Sequence, residues 1–529
     1  MSTRTRASRE AAILHHVVAI DLGGGGYFLY SDVGFTTSDG IVIRPGLNAP
    51  DVVASLEGGG DSVSLSILSP ETWAALVRGL DGAAAELSEL AEGDSWGQRT
   101  SLMRGYLDSP TYGAAEEEVS ASLASFVWED SGQIPRPTWK IGAETWPRAS
   151  STLACPSGLY GPYYPVVLGS PAIQRSTAED LDWYPIPALI VEIDDSVDPP
   201  DNSALDCVIL LGWGHLDCVG GNVEIYNENI GAGAVVAAEA TRDMLGQPCT
   251  VATVAAADMA VTLGDSLWWR PVAGEKCGIP GTGGCGGALR WLASWASVPL
   301  DAEGWSAIND LDRLAFAMVL NEPVSPWGWI QDNPLRLLPC WPVEGPQGIG
   351  LATMPIGLQA SDAEEIDVDA LGGWREDQVQ TRSWRELRPS YVLNYAPDVR
   401  QGSMRRRIVF DPDVSAPTAT VCDTAFGRNV VGRYPQISRS VEEVSADWIG
   451  DAGTAAAIAS YSHRMLTELW EEITVVLPQE ILLTPGQLVS LTVADLADCG
   501  RWTDRICYVR SAPRVSGPAK YTFRTIEVD

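Results

Sequence analysis

At 529 residues with an apolar fraction of 45%, the chain is long enough for roughly three or four domains and apolar enough to bury real cores, which excludes an intrinsically disordered protein. Its 69 Asp and Glu against 35 Lys and Arg leave a formal net charge of −34, a balance that repels nucleic acid and anionic membrane surfaces. No run of about 18 apolar residues occurs, so no transmembrane helix is expected, and the basic start 1–6 with the short apolar run 11–20, interrupted by His15 and His16, does not read as a secretory signal.

In chain order, 13–21 reads as a strand, 23–26 as a glycine turn and 27–30 as the returning strand. Asp21-Leu22-Gly23-Gly24-Gly25 could be taken for a phosphate loop of the sugar-kinase and actin type. Tyr27 stands near where a small hydroxyl residue would meet phosphate, and no second such loop follows, so a hairpin turn is the reading. Residues 62–68 alternate cleanly. Ser69 as cap and Pro70 in the first turn predict a helix over 70–79. Strands follow at 100–110 and 121–128. The Pro-, Gly-, Ser- and Tyr-rich stretch 140–185 reads as a connector. Residues 186–262 form a β-rich unit with strands at 187–193, 207–211, 223–226 and 249–254.

Within that unit His215, Asp217 and Cys218 invite a catalytic or metal reading. The other histidines are His15, His16 and His463, none nearby in sequence, so an ordinary turn is expected. Ten cysteines show no C-x-x-C spacing. Cys277 and Cys285 flank a glycine-rich run, Cys207 and Cys218 a second and Cys499 and Cys507 a third. Reduced, buried thiols are the reading, with a metal site on Cys277 and Cys285 plus distant partners as the alternative.

Leu289, Leu292 and Trp295 share one helix face, and Ile308, Leu311 and Leu314 another, with Asp301 as cap; a strand follows at 315–320. The 20 tryptophans could build sugar platforms, but their apolar, helix-spaced settings favour core and subunit interface. Glu364, Glu365, Asp367 and Asp369 form an acidic, linker-like run. A glycosidase pair needs carboxylates facing across a cleft, which sequence neighbours do not provide, so a solvated run is the reading. Arg405, Arg406 and Arg407 form the one basic cluster, expected to pair with a neighbour's carboxylates. Residues 455–470 are helical by propensity. Ile473, Val475 and Leu477, then Val489, Leu491 and Val493, then 506–510 and 520–526, alternate as strands punctuated by Pro478, Thr484-Pro485-Gly486 and Ser516-Gly517-Pro518.

The closing run Leu482-Leu483-Thr484-Pro485-Gly486-Gln487-Leu488-Val489-Ser490-Leu491-Thr492 resembles the last tube-like domain of tail hub proteins of long-tailed phages. Other segments resemble the same family in order: Arg104-Gly105-Tyr106-Leu107-Asp108-Ser109-Pro110, Gly132-Gln133-Ile134-Pro135, Tyr164 to Pro171, the helix–loop–helix–strand of 287–320 and Tyr391 to Asp398. The resemblance implies a mainly β, multidomain protein in which two tube-like β-barrel or sandwich domains, at the N- and C-termini, flank a β-domain and an α+β insert. The expected limits are 1–145 for the first tube-like domain, 146–185 for the connector, 186–262 for the β-domain, 263–375 for the insert and 376–529 for the second tube-like domain.

The resemblance further implies a structural virion protein made in the host cytoplasm. It would be a homotrimeric hub at the tail tip that continues the tube, with an acidic lumen passing DNA in transit. Its implied partners are the distal tail protein, the tail tube and tape measure, and fibre or tip proteins, with no stable membrane insertion. No catalytic, cofactor-binding or metal-binding residue is assigned, no cofactor is expected and no enzyme activity is expected. The alternative is a glycan-binding or glycan-degrading tail-associated protein.

Overall fold

The structure, a computed structural model, describes residues 14–21, 27–48, 53–55, 62–68, 82–112, 118–125, 132–143, 145–146, 153–155, 157–171, 183–194, 206–244, 247–272, 276–296, 305, 307–345, 348–354, 360–376, 379–411, 431–478, 481, 483–494, 502–513 and 519–526. The expected glycine turn at 23–26, the helix at 70–79, the Asp301 cap and the turn at 516–518 lie outside the described residues. The chain is mainly β and folds as several sheets.

The first sheet has nine strands. In spatial order they are Phe35–Thr36, Val42–Pro45, Tyr27–Ser31, Leu14–Asp21, Ala84–Ala91, Thr100–Tyr112, Glu118–Ser125, Ser62–Leu68 and Leu47–Asn48. All pairings are antiparallel except Tyr27–Ser31 with Val42–Pro45. Period-2 alternation sends Val18, Ile20, Val63, Leu65, Ile67, Leu87, Leu107 and Leu123 to one buried face. The last strand curls back near the Leu14–Asp21 and Tyr27–Ser31 strands, so the sheet is rolled.

The second sheet closes on itself. Around the ring run Ile186–Asp194, Cys207–Trp213, Gln247–Val254, Ala232–Met244, Asn222–Asn227 and Leu267–Pro271, which pairs back onto Ile186–Ala188. Register shifts at Ile190/Glu192, Leu210/Gly212 and Ala240/Arg242 bend the strands, as closing a small barrel requires. Ile186, Ile190, Ile209, Leu211, Val223, Ile225 and Trp269 fill the interior. The long Ala232–Met244 strand was not anticipated, because its alanines and glycine carry little β-propensity. The closing strand Leu267–Pro271 falls beyond 262, where the sequence ends this unit.

Beside the barrel lies the largest core. It draws on segments from Ile134 to Ala459, including the helix Cys285–Trp295 and the helix Ala452–Thr467. Two readings change here. The expected connector is core: Tyr164, Val166, Val167 and Leu168 are fully buried, and Val166–Gly169 pairs with Ala317–Leu320. Of Trp305–Leu314, expected as an α-helix, Trp305 is α-helical but Ala307–Arg313 is instead a 3-10 helix.

A three-stranded sheet caps this core. Its middle strand Ser390–Asp398 pairs antiparallel with Ser403–Phe410 and parallel with Val441–Ser445. Tyr391, Leu393, Tyr395, Ile408 and Phe410 point inward into the same core as Ile458 and Ala459 of the Ala452–Thr467 helix. The 391–398 strand was expected to enter the C-terminal sheet. It does not, because its alternating apolar face meets the helix instead. Asp451 caps that helix, its Oδ1 accepting the Thr454 N–H at 2.9 Å.

The last sheet orders Glu364–Asp367, Leu488–Thr492, Arg505–Pro513, Ala519–Thr525, Glu471–Leu477 and Trp374–Arg375, with Gln380–Thr381 also on Glu471–Leu477. Ile473, Val475, Leu477, Val489, Leu491, Val509 and Phe523 form its core. The acidic run expected as a linker is thus an edge strand, pairing parallel with Leu488–Thr492. Ile366 is buried while Glu364, Glu365 and Asp367 stay exposed, so the alternation survives under the charge. One strand from the chain's start, Val53–Ser55, stands outside the first sheet's strand order and pairs antiparallel with Ser511–Pro513 of the last sheet.

Candidate functional site

The chemically suggestive residues do not converge. Gly214, at φ 85°, makes the turn that leaves His215 and Asp217 exposed, while Cys218 turns into the barrel interior. Cys277 lies in the barrel core beside Cys218, and Cys285 in the large core beside Cys340. Burial pushes both Cys277 and Cys285 thiols well above their ordinary value, which keeps them protonated and unreactive. Each donates to a carbonyl, Cys277 to Pro171 at 3.8 Å and Cys285 to Ala315 at 3.7 Å. Among the described residues no group of three His, Cys, Asp or Glu could hold a metal ion.

The glycine-rich run between these cysteines serves close packing. A Cβ at Gly278 would stand 2.1 Å from the Gly169 carbonyl oxygen, and one at Gly284 would stand 2.5 Å from that of Asp312. The run brings the helix Cys285–Trp295 against the barrel. Its N-terminus has no side-chain cap of its own; Asp312 supplies one, accepting the Gly287 N–H at 2.6 Å and pairing with Arg290 at 3.0 Å.

The tryptophans cement the units. Trp139 stacks on Trp213 with centroids 4.5 Å apart, and Trp295 sets its edge against both, at 5.5 and 5.4 Å. These rings come from the segment just before the expected connector, the barrel and the helix. Trp146 donates to the fully buried Glu192 at 2.9 Å. Among the described tryptophans, Trp374 alone is classed as exposed.

Where the large core meets the last sheet, a cavity of about 330 Å³ opens between Trp341, Tyr391, Tyr461, Tyr508, Arg510 and Arg524. Its wall is tied by Glu472, whose carboxylate takes Arg510 at 2.6 Å and Arg524 at 2.9 Å. Trp341 stacks on Tyr508, and Arg524 lies 4.0 Å from the Trp470 ring centroid. Burial pushes the Tyr461 hydroxyl above its ordinary range. The residues match a structural seam, with no nucleophile–base pair and no opposed carboxylates.

The three-stranded sheet leaves two edges without a strand partner among the described residues. One edge strand carries Arg405, Arg406 and Arg407; the other carries Glu442 and Glu443. Arg405 does not wait for a neighbouring subunit, contrary to expectation: it pairs within the chain with the buried Asp398 at 2.8 Å. Arg407 is exposed. On the opposite edge Glu443 accepts from Asn394 at 2.9 Å, Glu442 lies 3.9 Å from Arg388, and Val441 is 51% exposed. Sequence reading picked out the arginines and missed the glutamates, which are unremarked in a chain so rich in acid.

No protein-family profile matches the sequence, and no curated protein sequence matches it. Solved structures superpose loosely. A tail protein from Neisseria meningitidis MC58 gives a TM-score of 0.39 at 10% identity, over 97% of this chain and 96% of that one. A 43 kDa tail protein of prophage MuSo2 from Shewanella oneidensis gives 0.34 at 9%, over 97% and 98%. A chain of the phage P2 baseplate in its activated conformation gives 0.22 at 9%, over 97% and 99%. Superpositions this loose do not establish a common fold.

Proposed function

We propose that the chain is a structural protein of a phage tail tip or baseplate, a hub in which three copies form a ring that continues the tail tube. The observation that carries this reading is the pairing of Val53–Ser55 with Ser511–Pro513. It ties a segment lying in sequence between two strands of the first β-unit, Leu47–Asn48 and Ser62–Leu68, to the last β-unit. A pseudo-sixfold ring made from three subunits needs two β-units per subunit, and this pairing supports their association within one chain. The ordered hub-like segments of the sequence point in the same direction. The loosely superposable chains are tail and baseplate proteins, and superpositions this loose add no weight to it.

In this reading the tube-like domains surround a passage for DNA in transit, the acidic surface keeps that DNA from sticking, and the remaining units hold distal tail, tape-measure and fibre or tip proteins. The glycan-binding reading fares worse, since it needs tryptophans on exposed polar strands and the described ones are almost all buried or half-buried. Light scattering followed by negative-stain imaging tests the hub. The expected result is a ring with a central hole and about three times the 56.6 kDa chain mass. A compact monomer at every concentration, both alone and mixed with tail-tube protein, overturns it.

A further inference from the structure

We propose that the two open edges of the three-stranded sheet are the two halves of one subunit contact, the basic edge of one copy pairing with the acidic edge of the next. The inference deepens the ring reading above and rests on it, because it names the surface through which a second copy of this chain is held.

Three observations carry it. First, within the described residues the sheet ends on both sides without a further strand, and an open edge presents a row of backbone N–H and C=O groups ready to pair. Second, the charges on the edges are opposite. Arg405, Arg406 and Arg407 stand on Ser403–Phe410, and Glu442 and Glu443 on Val441–Ser445. A triple arginine is conspicuous in a chain with 35 basic and 69 acidic residues. Third, the strand directions suit the junction. Ser403–Phe410 runs antiparallel to the middle strand and Val441–Ser445 parallel to it. A rotation about an axis running along the strands keeps those directions, so the two unlike edges meet antiparallel, the more stable pairing.

Charge also selects the symmetry. A twofold dimer through one edge would set arginine against arginine or glutamate against glutamate, and like charges across a strand pair are unfavourable. Unlike edges meet only head to tail, and a head-to-tail contact closes into a ring when its rotation allows. The same charges could instead serve to guard bare edges against any pairing. The two possibilities predict opposite responses to charge reversal. Arg405 is left unaltered because it holds the buried Asp398, and the contacts of Glu443 with Asn394 and of Glu442 with Arg388 lost in the acidic-edge form are lost equally in the form carrying all the changes.

The experiment is sedimentation of the full chain at low and high salt in four forms: unaltered, Arg406→Glu with Arg407→Glu, Glu442→Arg with Glu443→Arg, and all four changes together. Circular dichroism confirms that each is folded, and the four-change form guards against misfolding as an explanation. The expected result is association weakened by about 10-fold or more in each two-change form, restored in the four-change form and reduced by salt in the unaltered chain. Association unmoved by either reversal overturns the edge contact while leaving the ring reading in place. Association strengthened by either reversal assigns the charges to guarding and overturns it too. A chain that is monomeric in every form and salt overturns the edge contact, and imaging of the chain mixed with tail-tube protein then decides the ring reading separately.

Discussion

The barrel and the three-stranded sheet lie against one core and solve the problem of sheet edges in opposite ways. The barrel uses three register shifts to bend its strands until the last pairs with the first, which closes the ring. Among the described residues the three-stranded sheet stops at three strands, with the helix Ala452–Thr467 packed on its inner face. The barrel therefore holds its stability in a filled interior, whereas the open sheet holds part of its pairing capacity in reserve. A closed element is a strut, and an open one is a joint.

Substitutions separate these roles. The largest effect is expected inside the barrel. Trp269 is fully buried and donates to the Leu211 carbonyl at 3.0 Å. Trp269→Ala should destabilise the fold by about 3–5 kcal/mol in urea unfolding while leaving subunit association of the folded fraction unchanged. A loss under about 1 kcal/mol would mean that the barrel does not depend on a filled interior. On the open sheet, Asp398→Ala removes the buried partner of Arg405, whose side chain is itself only 12% exposed. It should cost roughly 3 kcal/mol, because a largely buried cation loses its carboxylate.

A third, smaller effect depends on pH. Burial holds the His463 imidazole below its ordinary value of 6.5, while its hydrogen bond to the Pro389 carbonyl at 2.9 Å works the other way. An imidazole depressed in the folded state contributes stability above its unfolded value, and loses that contribution as pH falls through the unfolded value toward the folded one. Relative to His463→Gln, the unaltered chain should therefore lose stability between about pH 7 and pH 5. Parallel curves for the two proteins would remove His463 as the cause. The smallest effect is expected at the acidic edge. Val441→Thr should change monomer stability by no more than about 0.5 kcal/mol, as for exposed positions generally, yet weaken association if the edge is the joint.

Much of this architecture can be read from alternation. Val63, Leu65 and Ile67, or Ile473, Val475 and Leu477, announce strands with one buried face, and the structure has them as strands. Membership of a sheet is harder, since it depends on which distant face a strand meets. Tyr391, Leu393 and Tyr395 alternate as well as any strand of the last sheet, but lie under a helix elsewhere. Composition misled at the connector, where prolines and glycines surround Tyr164–Leu168, and at Glu364–Asp367, where charge hid a strand built around Ile366. The candidate contact was half legible. A basic cluster stands out in an acidic chain, but only the fold places it across a sheet from Glu442 and Glu443.

The short strand Val53–Ser55 also sets a timetable. Its partner Ser511–Pro513 comes roughly 450 residues later in the chain, so while the protein is being made this strand emerges from the ribosome long before anything exists for it to pair with. The two units can each condense from local hairpins as they appear, but the link between them waits until Ser511–Pro513 has been made and must then close a very long loop. A product that stops before Ser511 lacks the link altogether.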